Sequence, residues 1–300
     1  MYATSITDRV YLLDTVALGA TGTVSAYLIK GPKPTLIDCG YASSYENVLR
    51  GLSEVGQLPS EIRYIVPTHV HLDHAGAAGH LMGVMPNAEL IAHERGVPHL
   101  VDPTRLIESA TKVFGNVIME LYGSPLPIPR ERVTAVGNET ELDLGGGETV
   151  TLIHSPGHAP HQISVLLNRE RLLLTADAVG IVYPDLNVLI PTTPPPSFEP
   201  QALVHTVGEL EQTTPGNLLL PHFGVRGDSS RVFEDTRTKV LGWVKEVTNF
   251  RNKGMELDEI SEIMASKVKA EAGGKDLPIY ARVSIRTSVM GIMHYLEKKA

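Results

Sequence analysis

Short apolar, β-branched runs closed by Gly, Pro or Asn recur through the first 227 residues, the signature of strands ended by turns. The strands expected are Arg9 to Leu13, Val24 to Ile29, Thr35 to Ile37, Tyr64 to Val66, Leu90 to Ala92, Val150 to Ile153, Ile163 to Leu167, Leu172 to Thr175 and Asn217 to Leu220. Between them, apolar residues fall at helical spacing over Tyr45 to Gly56, Ala75 to Met85 and Pro103 to Tyr122. In the last of these, Leu106, Ala110, Val113, Val117 and Leu121 share one face. Strands interleaved with helices define an α/β protein. After Gly227 the spacing is helical only, over Val232 to Arg251, Leu257 to Ala272 and Ser284 to Lys299. Gly254 and Gly273-Gly274 separate the three segments. The organisation expected is therefore an α/β domain of residues 1–227 with a helical extension of residues 228–300. The Pro-rich stretch Ile190 to Pro200 reads as a stiff surface loop inside the first part, because patterned sequence resumes directly after it.

Composition narrows the function classes. With 42% hydrophobic residues in 300, the chain has ample material for a buried core. The net charge of −8 comes from scattered carboxylates with no basic block, which argues against a nucleic-acid partner. No apolar run approaches the length of a membrane span, and "MYATSITDRVYLL" lacks a basic segment followed by an apolar one, so a cytoplasmic protein is expected. Cys39 is the single cysteine. There is no disulfide framework, and any metal must be held by nitrogen and oxygen.

One stretch changes the picture. "THVHLDHAG" places His69, His71, Asp73 and His74 within six positions of a chain with only 12 histidines. Two residues apart on an extended segment, His69 and His71 point to the same side. Chance would give such a cluster on the order of once in a thousand chains of this kind. A metal site is the stronger reading, but these four residues alone cannot surround one ion without strain. Further donors stand downstream at strand ends: His158 in "HSPGHAPHQ", Asp177 after "LLLTA" and His222 after "NLLLP".

In that order, His69-x-His71-x-Asp73-His74, His158, Asp177 and His222 resemble the ligand set of the metallo-β-lactamase superfamily, over roughly residues 8 to 224. The resemblance implies an αββα sandwich of two mixed β-sheets flanked by helices, with the site at the rim between the sheets. It implies that His69, His71 and His158 hold one metal, Asp73, His74 and His222 a second, and that Asp177 bridges them. Asp38 in "TLIDCG" matches an aspartate that supports the site from behind. Two divalent ions are expected, zinc first, with iron or manganese as alternatives. Neutral imidazoles suit such a borderline ion and carboxylates offset its charge. A pair of ions can share one hydroxide whose parent water has its pKa lowered to roughly 7. Asp73 is the candidate catalytic residue, orienting that nucleophile and moving its proton.

The activity expected is hydrolysis of a small-molecule ester, lactone, thioester or phosphoester. Antibiotic-degrading members commonly carry cysteine where Asp177 stands, and homoserine-lactone lactonases a tyrosine where Gly180 stands. Flavodiiron members carry glutamate at the position of His71. A mononuclear iron thiol or persulfide dioxygenase is the alternative, and a metal-dependent nuclease ranks below both. Of the remaining histidines, His154 and His161 flank the His158 turn, and His80, His93, His99, His205 and His294 read as structural or solvated. The helical extension either caps the pocket or forms a homodimer contact. A cap is favoured, with Trp243, Val247, Ile260, Ile263, Val289 and Met293 supplying some of the lining.

Overall fold

The computed structural model describes residues 1–299. Its strands sort their alternating side chains between different cores, which builds the layers. In β2 (Val10–Asp14), β3 (Ser25–Ile29) and β4 (Thr35–Ile37), residues Leu13, Ala26, Leu28 and Leu36 face one apolar cluster. Their neighbours Leu12, Tyr27, Ile29 and Ile37 face another. This period of two is what a strand buried on both faces requires. With β1 (Ala3–Ser5), β5 (Tyr64–Val66), β6 (Glu89–His93) and β7 (Val133–Val136) these strands form a seven-stranded sheet in chain order. It is antiparallel up to β4 and parallel from β4 to β7.

The second sheet has six strands: β8 (Glu139–Gly145), β9 (Glu148–His154), β10 (Ile163–Leu167), β11 (Leu172–Leu174), β14 (Asn217–Leu219) and β15 (Val225–Arg226). A small pair, β12 (Ile181–Val182) and β13 (Leu189–Ile190), lies apart. Leu152, Val165, Leu172, Leu174 and Leu219 meet the first sheet's inner face, while Leu173 and Leu218 face outward to helices. Helices α1 (Tyr45–Glu54) and α3 (Ala78–Val84) cover the first sheet; α7 (Pro200–Gln212), α8 (Ser229–Arg251), α9 (Leu257–Glu271) and α10 (Ile279–Lys299) cover the second. The result is the αββα sandwich expected. Polar ties also join the sheets: Ser25 N–H donates to the Pro221 carbonyl at 2.7 Å, and Ile163 N–H to the Thr68 carbonyl at 2.8 Å. The Arg9 guanidinium is paired with Glu148 and Glu170.

Four expectations need correction. The helix over Pro103 to Tyr122 breaks at Gly115, whose φ of +79° is left-handed, into α5 (Thr104–Phe114) and α6 (Asn116–Tyr122). Its supposed buried face is divided accordingly, with Val117 and Leu121 exposed. The segment Ala75 to Met85 is likewise two helices, α2 (Leu72–Ala75) and α3, and α4 (Val97–Val101) lies between β6 and α5. The Pro-rich stretch is not a surface loop, because Ile190, Thr192, Thr193 and Phe198 are buried. It runs beneath α10 so closely that a Cβ on Gly291 would lie 1.7 Å from the Thr193 carbonyl oxygen.

Finally, Trp243, Val247, Ile260 and Val289 belong to the core shared by α7 to α10 and the second sheet. The cleft described next is lined instead by Val283, Ser284, Thr287 and Ser288 of α10. Of the missed strands, β7 has only four residues with its two central ones exposed, and β8 is mostly polar and largely exposed, so neither shows the buried apolar run by which the others were read.

Candidate metal centre

The donors come from the same end of both sheets. β5 runs into His69 and His71; His71 precedes α2, whose first turn carries Asp73 and His74. β11 ends just before Asp177, β14 just before His222, and His158 sits in the turn between β9 and β10. That turn needs Gly157, at φ +126°, because a Cβ there would lie 2.3 Å from the backbone of Leu203 on α7.

All seven sequence-derived residues are brought together. The donor atoms of His69, His71 and His158 lie within 4.8 Å of one another, as do those of Asp73, His74 and His222, and those of His69, His74 and Asp177. His71 Nδ1 is 2.9 Å from both His69 Nε2 and His158 Nε2. Asp177 lies between the two groups: Oδ2 is 3.5 Å from His158 Nε2 and 3.4 Å from His222 Nε2, and Oδ1 is 3.4 Å from His74 Nε2. Asp73 Oδ2 stands 3.6 Å from both His74 Nε2 and His222 Nε2.

Outer partners fix which nitrogen faces inward. His158 Nδ1–H donates to the Thr192 carbonyl at 3.0 Å, and His74 Nδ1–H to Asp38 Oδ2 at 2.9 Å, leaving Nε2 of each for the centre. Asp38, at a left-handed φ of 59°, also accepts from Thr68 N–H at 2.7 Å and Thr68 Oγ1–H at 2.9 Å. His222 has no partner on Nδ1 among the described residues. Sequence reasoning missed Thr192, and also Gln162, whose Oε1 accepts from Asp177 N–H at 3.2 Å. Neither carried a signal, since one acts through a backbone carbonyl and the other is a single amide.

The electrostatics split the centre. Burial, then the neighbouring imidazoles, hold His69 and His71 well below the usual histidine range. Burial also lowers His158, against the pull of Asp177. Burial opposes charge on His74 too, yet Asp73, Asp38 and Asp177 outweigh it and push this histidine up to about 10. His222 is raised against burial in the same way, by Asp177 and Asp73. For Asp177, burial disfavours the charge, but His222, His74 and His158 hold it far below the ordinary carboxylate range.

These features fit a metal. Three imidazole nitrogens converge on one point, and His74 Nε2 and Asp177 Oδ1 are buried without any hydrogen-bond partner among the described residues. A cation accepts from such lone pairs, and it replaces the protons that otherwise offset the two carboxylates.

The centre opens on a cleft of about 280 Å³. One wall comes from α5 and α6, with Leu106, Ala110, Val113 and Phe114; the other from residues 192–197 and α10. Tyr183 and Asp185 tie the 179–190 segment to α10. The Tyr183 hydroxyl is 2.9 Å from Ser284 Oγ, and Asp185 Oδ2 accepts from the Tyr280 hydroxyl at 2.9 Å. Outside the centre, His80 stacks on Tyr45, and His205 and His294 lie on exposed helix faces within 4 Å of Glu209 and Glu297.

The chain belongs to the metallo-beta-lactamase superfamily, whose family model matches residues 19–236. Among curated relatives, it is 33% identical over 175 residues to the metallo-beta-lactamase fold-containing protein ST1585 of Sulfurisphaera tokodaii, covering 57% of this chain and 62% of that protein. It is 30% identical over 136 residues to the N-acyl homoserine lactonase AttM of Azorhizobium caulinodans, covering 44% of this chain and 47% of that one. With the flavo-diiron protein FprA2 of Clostridium acetobutylicum it shares 27% over 157 residues, 52% of this chain and 34% of the relative. The aligned stretch thus spans less than two thirds of each of these relatives. The solved structure of ST1585 from Sulfolobus tokodaii superposes with a TM-score of 0.69 at 25% identity, covering 91% of this chain and 93% of that one. No helix among the described residues is long and apolar enough to cross a membrane.

Proposed function

We propose that the chain is a metal-dependent hydrolase using two divalent ions, zinc before iron or manganese, to cleave an ester, lactone, thioester or phosphoester of a small molecule. The observation that supports this best is the division of the donors into a three-histidine group and an Asp73, His74, His222 group, with Asp177 between them. Bound there, such ions would polarise the oxygen of the scissile bond and lower the pKa of water to roughly 7. The protein's own part is to hold the donors still. Thr192 orients His158, Asp38 orients His74, and Gln162 pins the backbone of Asp177. Leu106, Ala110, Val113 and Phe114 of α5 give the cleft an apolar strip that suits a substrate with an apolar part beside the reacting bond.

Asp73 differs from Asp177 in exposure. Its side chain is 20% exposed and lines the cleft, against 4% for Asp177. It is therefore the carboxylate placed to take a proton from the nucleophile and give it to the leaving group. Asp73→Asn should retain metal on His69, His71 and His158 while turnover falls by about 10²–10⁴, the usual range for a lost acid–base group. Metal analysis beside steady-state kinetics checks this, and near-normal turnover would remove Asp73 from the mechanism.

Metal uptake should depend on pH differently at the two groups. Histidines held below their usual range stay neutral and need lose no proton, whereas His74, pushed up to about 10, is protonated at neutral pH and must release a proton, and His222, also raised, holds its proton more tightly than an ordinary histidine and must release it too. Affinity at the Asp73, His74, His222 group should rise with pH by roughly tenfold per unit for each proton displaced, and stay nearly flat at the three-histidine group. Zinc titrations of metal-free protein between pH 6 and 9 should show one tight equivalent at the acid end and two at the basic end. Parallel slopes for both equivalents would refute the division.

A relative named for a diiron centre keeps a redox reading in view. Protein purified without added metal decides between them. Two zinc-like ions with turnover of one of the four bond types supports hydrolysis; one iron per chain with no hydrolysis overturns it.

A further inference from the structure

One wall of the cleft, beyond the metal centre, carries hydrogen-bond donors that nothing in the centre uses. His161 is 9% exposed, and its ring lies 6.1 Å from that of His71 and 6.3 Å from that of His99. Its Nδ1 is buried without a hydrogen-bond partner among the described residues, leaving Nε2 as the ring nitrogen toward the cleft. The ring is held there deliberately by its surroundings: His154 stacks on buried His93 at 4.1 Å, and its Nε2–H donates to the Pro160 carbonyl at 3.0 Å, fixing the residue before His161. His99 on α4 and Arg105 and Ser109, one turn apart on α5, line the same cleft. None of these three side chains makes a hydrogen bond or ion pair among the described residues. The nearby carboxylate of Asp102 is taken up by Thr104, accepting from its N–H at 3.1 Å and its hydroxyl at 2.7 Å.

Among the described residues, Arg105 is the only Lys or Arg lining the cleft, in a chain of net charge −8. A wall with a guanidinium fork, a hydroxyl and two imidazoles, and with no carboxylate of its own, selects an oxygen anion rather than a neutral or cationic group. A single permanent positive charge matches a single negative one.

We propose that His161, His99, Arg105 and Ser109 form a subsite for a carboxylate at the end of the substrate away from the bond that is cleaved. The word substrate rests on the hydrolase reading; the subsite itself does not. Arg105 would take the carboxylate through its fork, and His161 would donate from Nε2 at the inner edge, so the ligand would lie along the apolar strip of Leu106 and Ala110 with its other end at the metals.

Butyrate and glutarate test this on metal-loaded protein, by calorimetry and without turnover. Each offers one carboxylate to the metal centre, but only glutarate has a second for the wall. Glutarate should bind about tenfold tighter or more, as a charge-assisted Arg–carboxylate pair warrants. Arg105→Gln, at an exposed position, should reduce that advantage to about twofold or less with metal content unchanged. His161→Gln should lose part of it, again with both ions retained. Equal affinity for the two acids, or an advantage that survives Arg105→Gln, would overturn the subsite. A glutarate advantage in a protein that hydrolyses none of the four bond types would leave the subsite standing and sink the hydrolase reading alone.

Discussion

Asp177→Ala should lose metal and hydrolysis together. Among the described residues, Asp177 is the one carboxylate within 3.5 Å of imidazoles from both groups, touching His158 on one side and His74 and His222 on the other. Cys39, the single cysteine, is buried elsewhere in the core beside the first sheet and cannot replace it. Removing Asp177 leaves His222 facing Asp73 alone and His74 facing Asp73 and Asp38, so the second group would hold its protons less well and its metal least of all. At least one ion per chain should be lost on dialysis. Turnover should fall by more than about a hundredfold, the upper end of what loss of a supporting partner alone does to metal sites. Asp177→Asn separates charge from shape: it keeps the volume and the Gln162 contact to the backbone, yet should show the same metal loss. Two ions retained with full activity in the alanine variant would show that this carboxylate joins nothing.

How much of this centre was legible in the sequence follows from what each residue does there. Imidazoles and carboxylates at the ends of apolar strands are costly to bury without a partner, so His69, His71, Asp177 and His222 stand out wherever they occur. Their outer partners do not. Thr192 acts through a carbonyl that every residue has, inside a Pro-rich stretch whose composition suggests a surface loop. That stretch is buried because α10 lies over it, joined through Thr193 and Ser288, positions 95 apart that local periodicity cannot connect. The fold divides the same way. Strands buried on both faces read clearly from their apolar runs, whereas β8, with its alternating half-exposed Glu and Thr, looks like loop. A lone glycine inside a helical pattern is usually tolerated; Gly115 instead takes a left-handed φ and splits the segment that walls the cleft.

Removing residues 228–300 should abolish the folded state and not merely uncover the cleft. Leu203, Val207 and Leu210 of α7, with Val179, Ile190 and Phe198, share one apolar cluster with Phe233, Trp243, Val247, Ile285 and Val289 of the helical extension. Truncation would return those six retained side chains to water while the chain around them stays ordered. At about 1.5 kcal/mol or more each, that loss is on the order of 10 kcal/mol, comparable with the whole stability of a typical domain. The truncated chain should show no cooperative thermal transition by circular dichroism and should elute as aggregate; a soluble, cooperatively melting fragment that still takes up zinc would show the extension to be dispensable. A milder variant carries the same reasoning to the metal. Ser288 Oγ–H donates to the Pro191 carbonyl at 2.7 Å, and Thr193 Oγ1–H to the Ser288 carbonyl at 2.9 Å, holding α10 against the segment whose Thr192 carbonyl orients His158. Ser288→Ala removes the first of these bonds and leaves the Pro191 carbonyl buried without it, at a cost of about 1–3 kcal/mol. Zinc should then dissociate faster from the three-histidine group while the Asp73, His74, His222 group is unaffected. Equal loss from both groups would trace the effect to general loosening of the fold and not to this path from helix to ligand.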